Sequence, residues 1–192
     1  LEAIDLKLFD SQLGSLLEGK EVTIPTFNFA LGKKEYRNKL KLGADDIIVI
    51  EGIHAIDPKI LTNIPRENKF KIYISALTEL NMDEHNRVST TDNRLLRRII
   101  RDNRTRGYDV EHTLRSWPSV RSGEEKYIFP FQDEADYTIN SALIYEIGVL
   151  KTYVEPLLYS VPNSSPYYEE AKRLINFLRL FLPIPADDIP AD

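Results

Sequence analysis

The stretch 45-DDIIVIEG-52 opens on an Asp pair, runs through Ile47-Ile48-Val49-Ile50 and stops at Glu51-Gly52. Four β-branched residues with no polar alternation predict a strand buried on both faces, which is the habit of parallel sheets. Residues 70–76, FKIYISA, read as a second such strand, and Asp57-Pro58 between the two offers a cap and first turn for a short helix through Leu61. Residues 135–139 read as a last short strand. Strands of this kind alternating with helices imply an α/β fold, a parallel sheet flanked by helices on both faces. Ligands on such sheets bind at the carboxyl ends of strands, which is where Glu51 and Gly52 fall.

Working outward, Leu1, Ile4, Leu8, Phe9, Leu13, Leu16 and Leu17 recur at helical spacing over residues 1–18, with Gly19 as the stop. Residues 22–29 and 36–42 form two extended runs joined by a turn at 31–34, a small β-hairpin. From Asp92, Leu95, Leu96, Ile99 and Ile100 define one face of a helix, and Arg94, Arg97, Arg98 and Arg101 define the face beside it until residues 104–107 break it. A helix over 109–117 is expected to end before Pro118, another to run over 143–158, and Ser164-Ser165-Pro166 to cap a final helix to about 182. The expectation is one domain over 1–182 with a flexible, Pro-rich acidic tail over 183–192. Because the chain begins at Leu1 within a helical pattern, it also reads as a fragment.

Composition narrows the chemistry. The 192 residues are 42% hydrophobic and contain no Cys, which excludes a disulfide framework, a thiolate metal site and a cysteine nucleophile, while three His argue against a zinc enzyme. No apolar run approaches the ~20 residues that span a bilayer, and without a secretory leader pattern a cytoplasmic location with no membrane contact is expected. The net charge of -5 is uneven: residues 87–121 hold nine Arg, no Lys and four acids, a net +5, against -10 for the remainder. An Arg-only segment is suited to holding carboxylate or phosphate groups in a planar fork. An acidic pI near 5.4 argues against nucleic acid as the partner, since that affinity comes from many phosphate contacts.

Glu51, an acid ending an apolar run, is a candidate magnesium ligand, the alternative being a strand-end acid facing solvent or paired with Arg. Of Arg94, Arg97, Arg98, Arg101, Arg104 and Arg106, the first four lie along one helical stripe that leads into the Thr105-Arg106-Gly107 break, the arrangement of a mobile lid that closes cations over phosphates. The plainer alternative is a solvated face paired with Asp92, Asp102 and Asp109. Phe27, Phe29 and Tyr36 suit stacking on a flat ligand or simple hairpin packing. Of the three isolated His, only His54 falls near the presumed site. None of the eight glycines begins a complete phosphate-cradling G-x-x-x-x-G-K-[ST] pattern, and the Lys151-Thr152 pair lies in a helical stretch.

The runs EGKEVTIPTFNF, DDIIVIEGIHA, FKIYISA and TDNRLLRRIIRDNRTRGYD, in this order and spacing, resemble the phosphoribulokinase/uridine kinase family over about residues 1–158. RRIIRDNRTRG is the most specific part. The resemblance implies a P-loop-kinase-like fold with a helical Arg-rich lid, and transfer of the ATP γ-phosphate, with Mg2+, to the hydroxyl of a nucleoside or related small molecule. It implies that Glu51 lies near magnesium, that Phe27 stands beside the base where the family often has Tyr, and that Arg98, Arg101 and Arg106 are lid residues facing phosphates. The family's phosphate loop and its presumed catalytic Asp would precede Leu1, so this chain reads as the carboxyl-terminal part, inactive alone, with an exposed sheet edge that favours homo-oligomers. The competing reading is a noncatalytic nucleotide- or RNA-binding regulatory module.

Overall fold

The computed structural model describes residues 4–28, 32–78 and 80–189. Its contacts divide the chain into two compact units, one from residues 1–71 and 127–134, the other from residues 72–126 and 135–192.

In the first unit, α1 (Leu6–Leu17) starts where the Asp5 carboxylate accepts the Leu8 N–H at 3.1 Å, and it buries Leu13 and Leu16. The Gln12 side-chain amide donates to the Thr23 carbonyl at 2.7 Å, tying the helix to the first strand. β1 (Val22–Asn28) and β2 (Lys33–Leu40) form the expected antiparallel hairpin, with a register shift between Ile24 and Pro25. Proline has no N–H to give to the ladder, so an irregularity at this point is its natural place. Phe29 and Leu31, which the sequence placed at the hairpin end, lie outside the described residues.

The predicted strand at 47–50 does not form. That segment is irregular, and Ile47 and Val49 are 87% and 86% exposed. A β-branched run becomes a strand only where a neighbour takes its N–H and C=O groups, and no described strand pairs with it. The short helix at 57–61 is also absent: the Asp57 carboxylate accepts the Lys59 N–H at 2.8 Å in a tight local turn, and Ile56 and Ile60 are buried on either side.

The second unit is mostly helical. β3 (Ile72–Ser75) and β4 (Tyr137–Asn140) make a two-stranded parallel pair, in register from Ile72↔Tyr137 to Ser75↔Asn140. The sheet is thus smaller than expected, and it is not covered on both faces: β4 is exposed along its length, as are Ile72 and Ile74. Asn140 closes the pair's end, its side-chain amide donating to the Leu77 carbonyl and accepting the Leu77 N–H, both at 3.0 Å. The core lies among α2 (Thr90–Arg106), α3 (Val110–Tyr127), α4 (Glu146–Tyr159) and α5 (Tyr168–Leu178), where Leu95, Leu96, Ile99, Ile147, Val154, Leu158, Leu174 and Leu178 are almost fully buried.

Helix boundaries differ from expectation in several places: α1 starts at Leu6 after Asp5, and α5 starts at Tyr168, with Tyr167 and not Ser164-Ser165-Pro166 at its N-cap and no side-chain cap hydrogen bond. α3 runs through Pro118 instead of ending before it, since a proline costs a helix one hydrogen bond and a kink and the buried contacts of Val110, Leu114 and Glu124 on both sides outweigh that. α4 starts at Glu146, leaving Leu143 and Ile144 exposed, and α5 stops at Leu178, with Leu180 and Leu182 in solvent. The chain after α5 returns along α4: the Ile184 N–H donates to the Gly148 carbonyl at 3.0 Å, and Lys151 Nζ donates to the Phe181 carbonyl at 2.8 Å. A Cβ on Gly148 would lie 2.8 Å from Ile184 Cδ1 and 2.9 Å from the Leu182 carbonyl oxygen.

Two expected outcomes follow from this packing. Replacing a mid-helix glycine by alanine ordinarily stabilises by about 1 kcal/mol. Gly148→Ala is expected to reverse that sign, lowering the melting temperature and speeding proteolysis of residues 182–189, and a raised melting temperature would refute the packing. The exposed apolar residues Ile47, Val49 and Ile144 should drive concentration-dependent self-association in sedimentation velocity, which an Ile47→Asp, Val49→Lys double variant reduces.

Candidate functional site

The Arg-rich helix is built from its ends inward. Ser89 caps α2 by accepting the Asp92 N–H, and Gly107 ends it in the left-handed conformation (φ 68°) that glycine adopts without strain. The Gly107 and Tyr108 N–H groups both return to the Asp102 carbonyl, the latter at 3.1 Å. Arg104 and Arg106 in the last turn complement the negative end of the helix dipole.

Asp102 is only 1% exposed and gathers three guanidiniums. Its Oδ1 accepts from Arg101 Nε and Nη2 at 3.3 and 3.2 Å and from Arg106 Nη1 at 3.1 Å. Arg98 Nε lies 3.1 Å from Oδ2, is poorly aligned for a hydrogen bond, and has no hydrogen-bond partner among the described residues. Burial pushes the Arg98 guanidinium below its ordinary pKa; the Asp102 charge opposes this, and Arg101 and Arg106 reinforce it. One carboxylate serving three guanidiniums leaves a local charge of +2, held in place and able to take an anion.

The rest of the stripe is engaged differently. Arg94 donates to Glu124 of α3, which also accepts from Arg121 at 3.0 Å. Arg97 pairs with Glu146 of α4 and reaches the Ser141 carbonyl at 3.4 Å, while Asn93 Nδ2 donates to the same Glu146 at 3.1 Å. Arg104 is exposed and has no ion pair or hydrogen bond among the described residues. Of the near-sequence acids, Asp102 partners Arg98, Arg101 and Arg106, whereas the partners of Arg94 and Arg97 come from distant chain, Glu124 and Glu146 lying 30 and 49 residues away.

In the first unit, Glu51 is exposed, unpaired among the described residues, and lines an apolar cavity of about 280 Å³ with Ile4, Phe9, Ile50, His54 and Ile60. His54 Nδ1 is buried without a hydrogen-bond partner among the described residues, and its ring meets Tyr127 edge-on at 5.7 Å. Phe27 and Tyr36 are both exposed and share one face of the hairpin, since Tyr36 pairs with Pro25 and Phe27 lies two residues on. No group of three or more metal-ligating side chains occurs among the described residues. A single free carboxylate still fits Mg2+, which keeps waters and substrate phosphates as its other ligands. Gly14-Ser15-Leu16-Leu17-Glu18-Gly19-Lys20 comes within one residue of a phosphate loop, with Glu21 in the Ser/Thr position, but Gly14 to Leu17 lie within α1, where the amides are spent on the helix.

Burial lowers the His54 pKa below its ordinary 6.5, with the Asp57 charge pulling the other way. The unfolded chain then takes up the proton first, so the neutral ring's contribution is complete above pH 6.5 and lost as pH falls below it. Denaturant midpoints at pH 7.5 and pH 5.5 should therefore drop more for the wild type than for His54→Gln; equal drops would refute the assignment.

The model of the Phosphoribulokinase / Uridine kinase family matches residues 1–147. Curated uridine kinases of Staphylococcus aureus strains JH9, Newman and MW2 are each 29% identical over 140 residues, covering 71% of this chain and 58% of each relative. The chain therefore spans less than two thirds of the length of these relatives. With the matched region taking in the hairpin, Glu51, β3 and the whole Asp102-centred Arg cluster, the chain belongs to the phosphoribulokinase/uridine kinase family.

Proposed function

We propose that this chain is part of a uridine kinase-like phosphotransferase that moves the ATP γ-phosphoryl group to the hydroxyl of a nucleoside or related small acceptor. The observation that carries the reading is the cluster of Arg98, Arg101 and Arg106 on the single buried carboxylate of Asp102. Phosphoryl transfer asks little covalent chemistry of a protein and much electrostatic positioning, so a pre-placed surplus of guanidinium charge is the needed element. In this reading Arg98, Arg101 and Arg106 neutralise charge on the transferring group, and Arg104 adds a phosphate contact. Arg94 and Arg97, bound to Glu124 and Glu146, hold the Arg face of α2 in register as a lid. Phe27 and Tyr36 stack on the acceptor's base, and His54 lies at the rim of the Glu51 cavity. Glu51 would hold Mg2+, which supplies charge neutralisation to the phosphates when bound. ATP as co-substrate places this reading in the cytoplasm.

A noncatalytic nucleotide-binding module is favoured by one observation, that the 192 residues contain no complete G-x-x-x-x-G-K-[ST] sequence. For that reason these 192 residues alone are expected to bind ATP-Mg2+ without turning it over. A charged hydrogen bond contributes about 1.5 kcal/mol or more, so Arg101→Ala should weaken ATP binding in calorimetry about tenfold. Uridine phosphorylation by the full product of the gene, lost in Arg101→Ala, is the expected result. Binding without turnover in that product would replace the kinase reading with the binding module, and a steep salt dependence with RNA would assign its ligand.

A further inference from the structure

The corner between α2 and α3 carries a feature that the phosphate reading does not use. Tyr108 and His112 stack with ring centroids 4.1 Å apart and planes 22° from parallel, and both residues are exposed, Tyr108 by 42%. Two rings stacked on each other in solvent present an open π-face, which most aromatic side chains of this size bury.

The corner is also held firmly. The Tyr108 N–H donates to the Asp102 carbonyl at 3.1 Å, Asn103 Nδ2 donates to the Tyr108 carbonyl at 3.4 Å, and the Asp109 carboxylate accepts the His112 N–H at 2.7 Å. Asp102 thus binds the three guanidiniums through its side chain and the ring-bearing corner through its main chain. Positive charge and flat apolar surface are anchored to one residue, and the unpaired Arg104 stands in the same turn of chain. A ligand that answers both features has an anionic part and a planar aromatic part, which is the chemistry of a nucleotide.

We infer that the Tyr108–His112 ring pair is a stacking platform for the base of the nucleotide whose phosphates the Asp102-centred arginines take. The inference rests on the phosphate reading of that cluster. Stacking on aromatic side chains is tolerant of base identity and worth a factor of about ten or more in affinity per base. Asn103 and Asp109 fix the corner, and Tyr108 supplies the surface.

The test is calorimetric titration of the whole 192-residue chain with two probes, ATP-Mg2+ and tripolyphosphate-Mg2+. ATP should bind about tenfold tighter than tripolyphosphate. Tyr108→Ala should abolish that preference while leaving tripolyphosphate affinity unchanged, and Tyr108→Phe should keep it. A preference for ATP that survives Tyr108→Ala would overturn the platform and leave the anion cluster standing. An equal loss for both probes in Tyr108→Ala would also overturn it, assigning Tyr108 to the corner's structure alone. If neither probe binds the wild type, the phosphate reading fails and the platform falls with it.

Discussion

A single carboxylate, Asp102, buried to 1% exposure and shared by Arg98, Arg101 and Arg106, is the constraint around which the Arg-rich helix is organised. Burying a charge is costly, and removing one partner of a buried ion pair costs about 3–5 kcal/mol because the other is left uncompensated. Here the partners are partly exposed, so the structural gain is smaller, and the arrangement is better read as a way of crowding like charges. Three guanidiniums tolerate each other at one corner because Asp102 sits among them, and the residual positive charge is left facing outward. The main-chain carbonyl of the same residue closes the helix at Gly107 and accepts the Tyr108 N–H, so charge, helix end and aromatic corner are tied to one residue.

The other arginines show how the same residue type serves a different purpose three residues away. Arg94 and Arg97 are bound to Glu124 of α3 and Glu146 of α4, acids that come from distant chain and lie on the helices packed around α2. These pairs clamp the polar flank of a helix whose apolar side, through Leu95, Leu96 and Ile99, is buried in the core of the second unit. The two pairs fix the rotation of α2 about its axis against α3 and α4. The division of labour follows from angle: positions 94 and 97 point toward α3 and α4, and positions 98, 101 and 106 gather at Asp102.

Much of this was legible in the residues. The 3.6-residue period of Leu95, Leu96, Ile99 and Ile100 gave the helix and its buried face, and the turn at 104–107 gave its end. The hairpin lies where its two extended runs and the turn between them put it, and β4 overlaps the short strand read at 135–139. The failures share a cause. Ile47 to Ile50 has the strongest strand propensity in the chain, yet a strand is a relation between two segments, and no described segment supplies its ladder. Pro118 was read as a stop because local rules treat proline as one, whereas buried contacts on both sides carry α3 through it.

What the sequence determined by itself is therefore local and periodic: which segments are amphipathic helices, where glycines end them, where positive charge concentrates, and which family's residue order the chain follows. What only the tertiary structure decided is pairing. It set Glu124 and Glu146 against Arg94 and Arg97, gave Asp102 three guanidiniums, laid Ile184 over Gly148, and left the apolar run at 47–50 without a neighbour. The physical reason is that periodicity is a property of one element, readable from its own residues, while an ion pair or a strand ladder exists only when packing brings two distant segments to within hydrogen-bond distance.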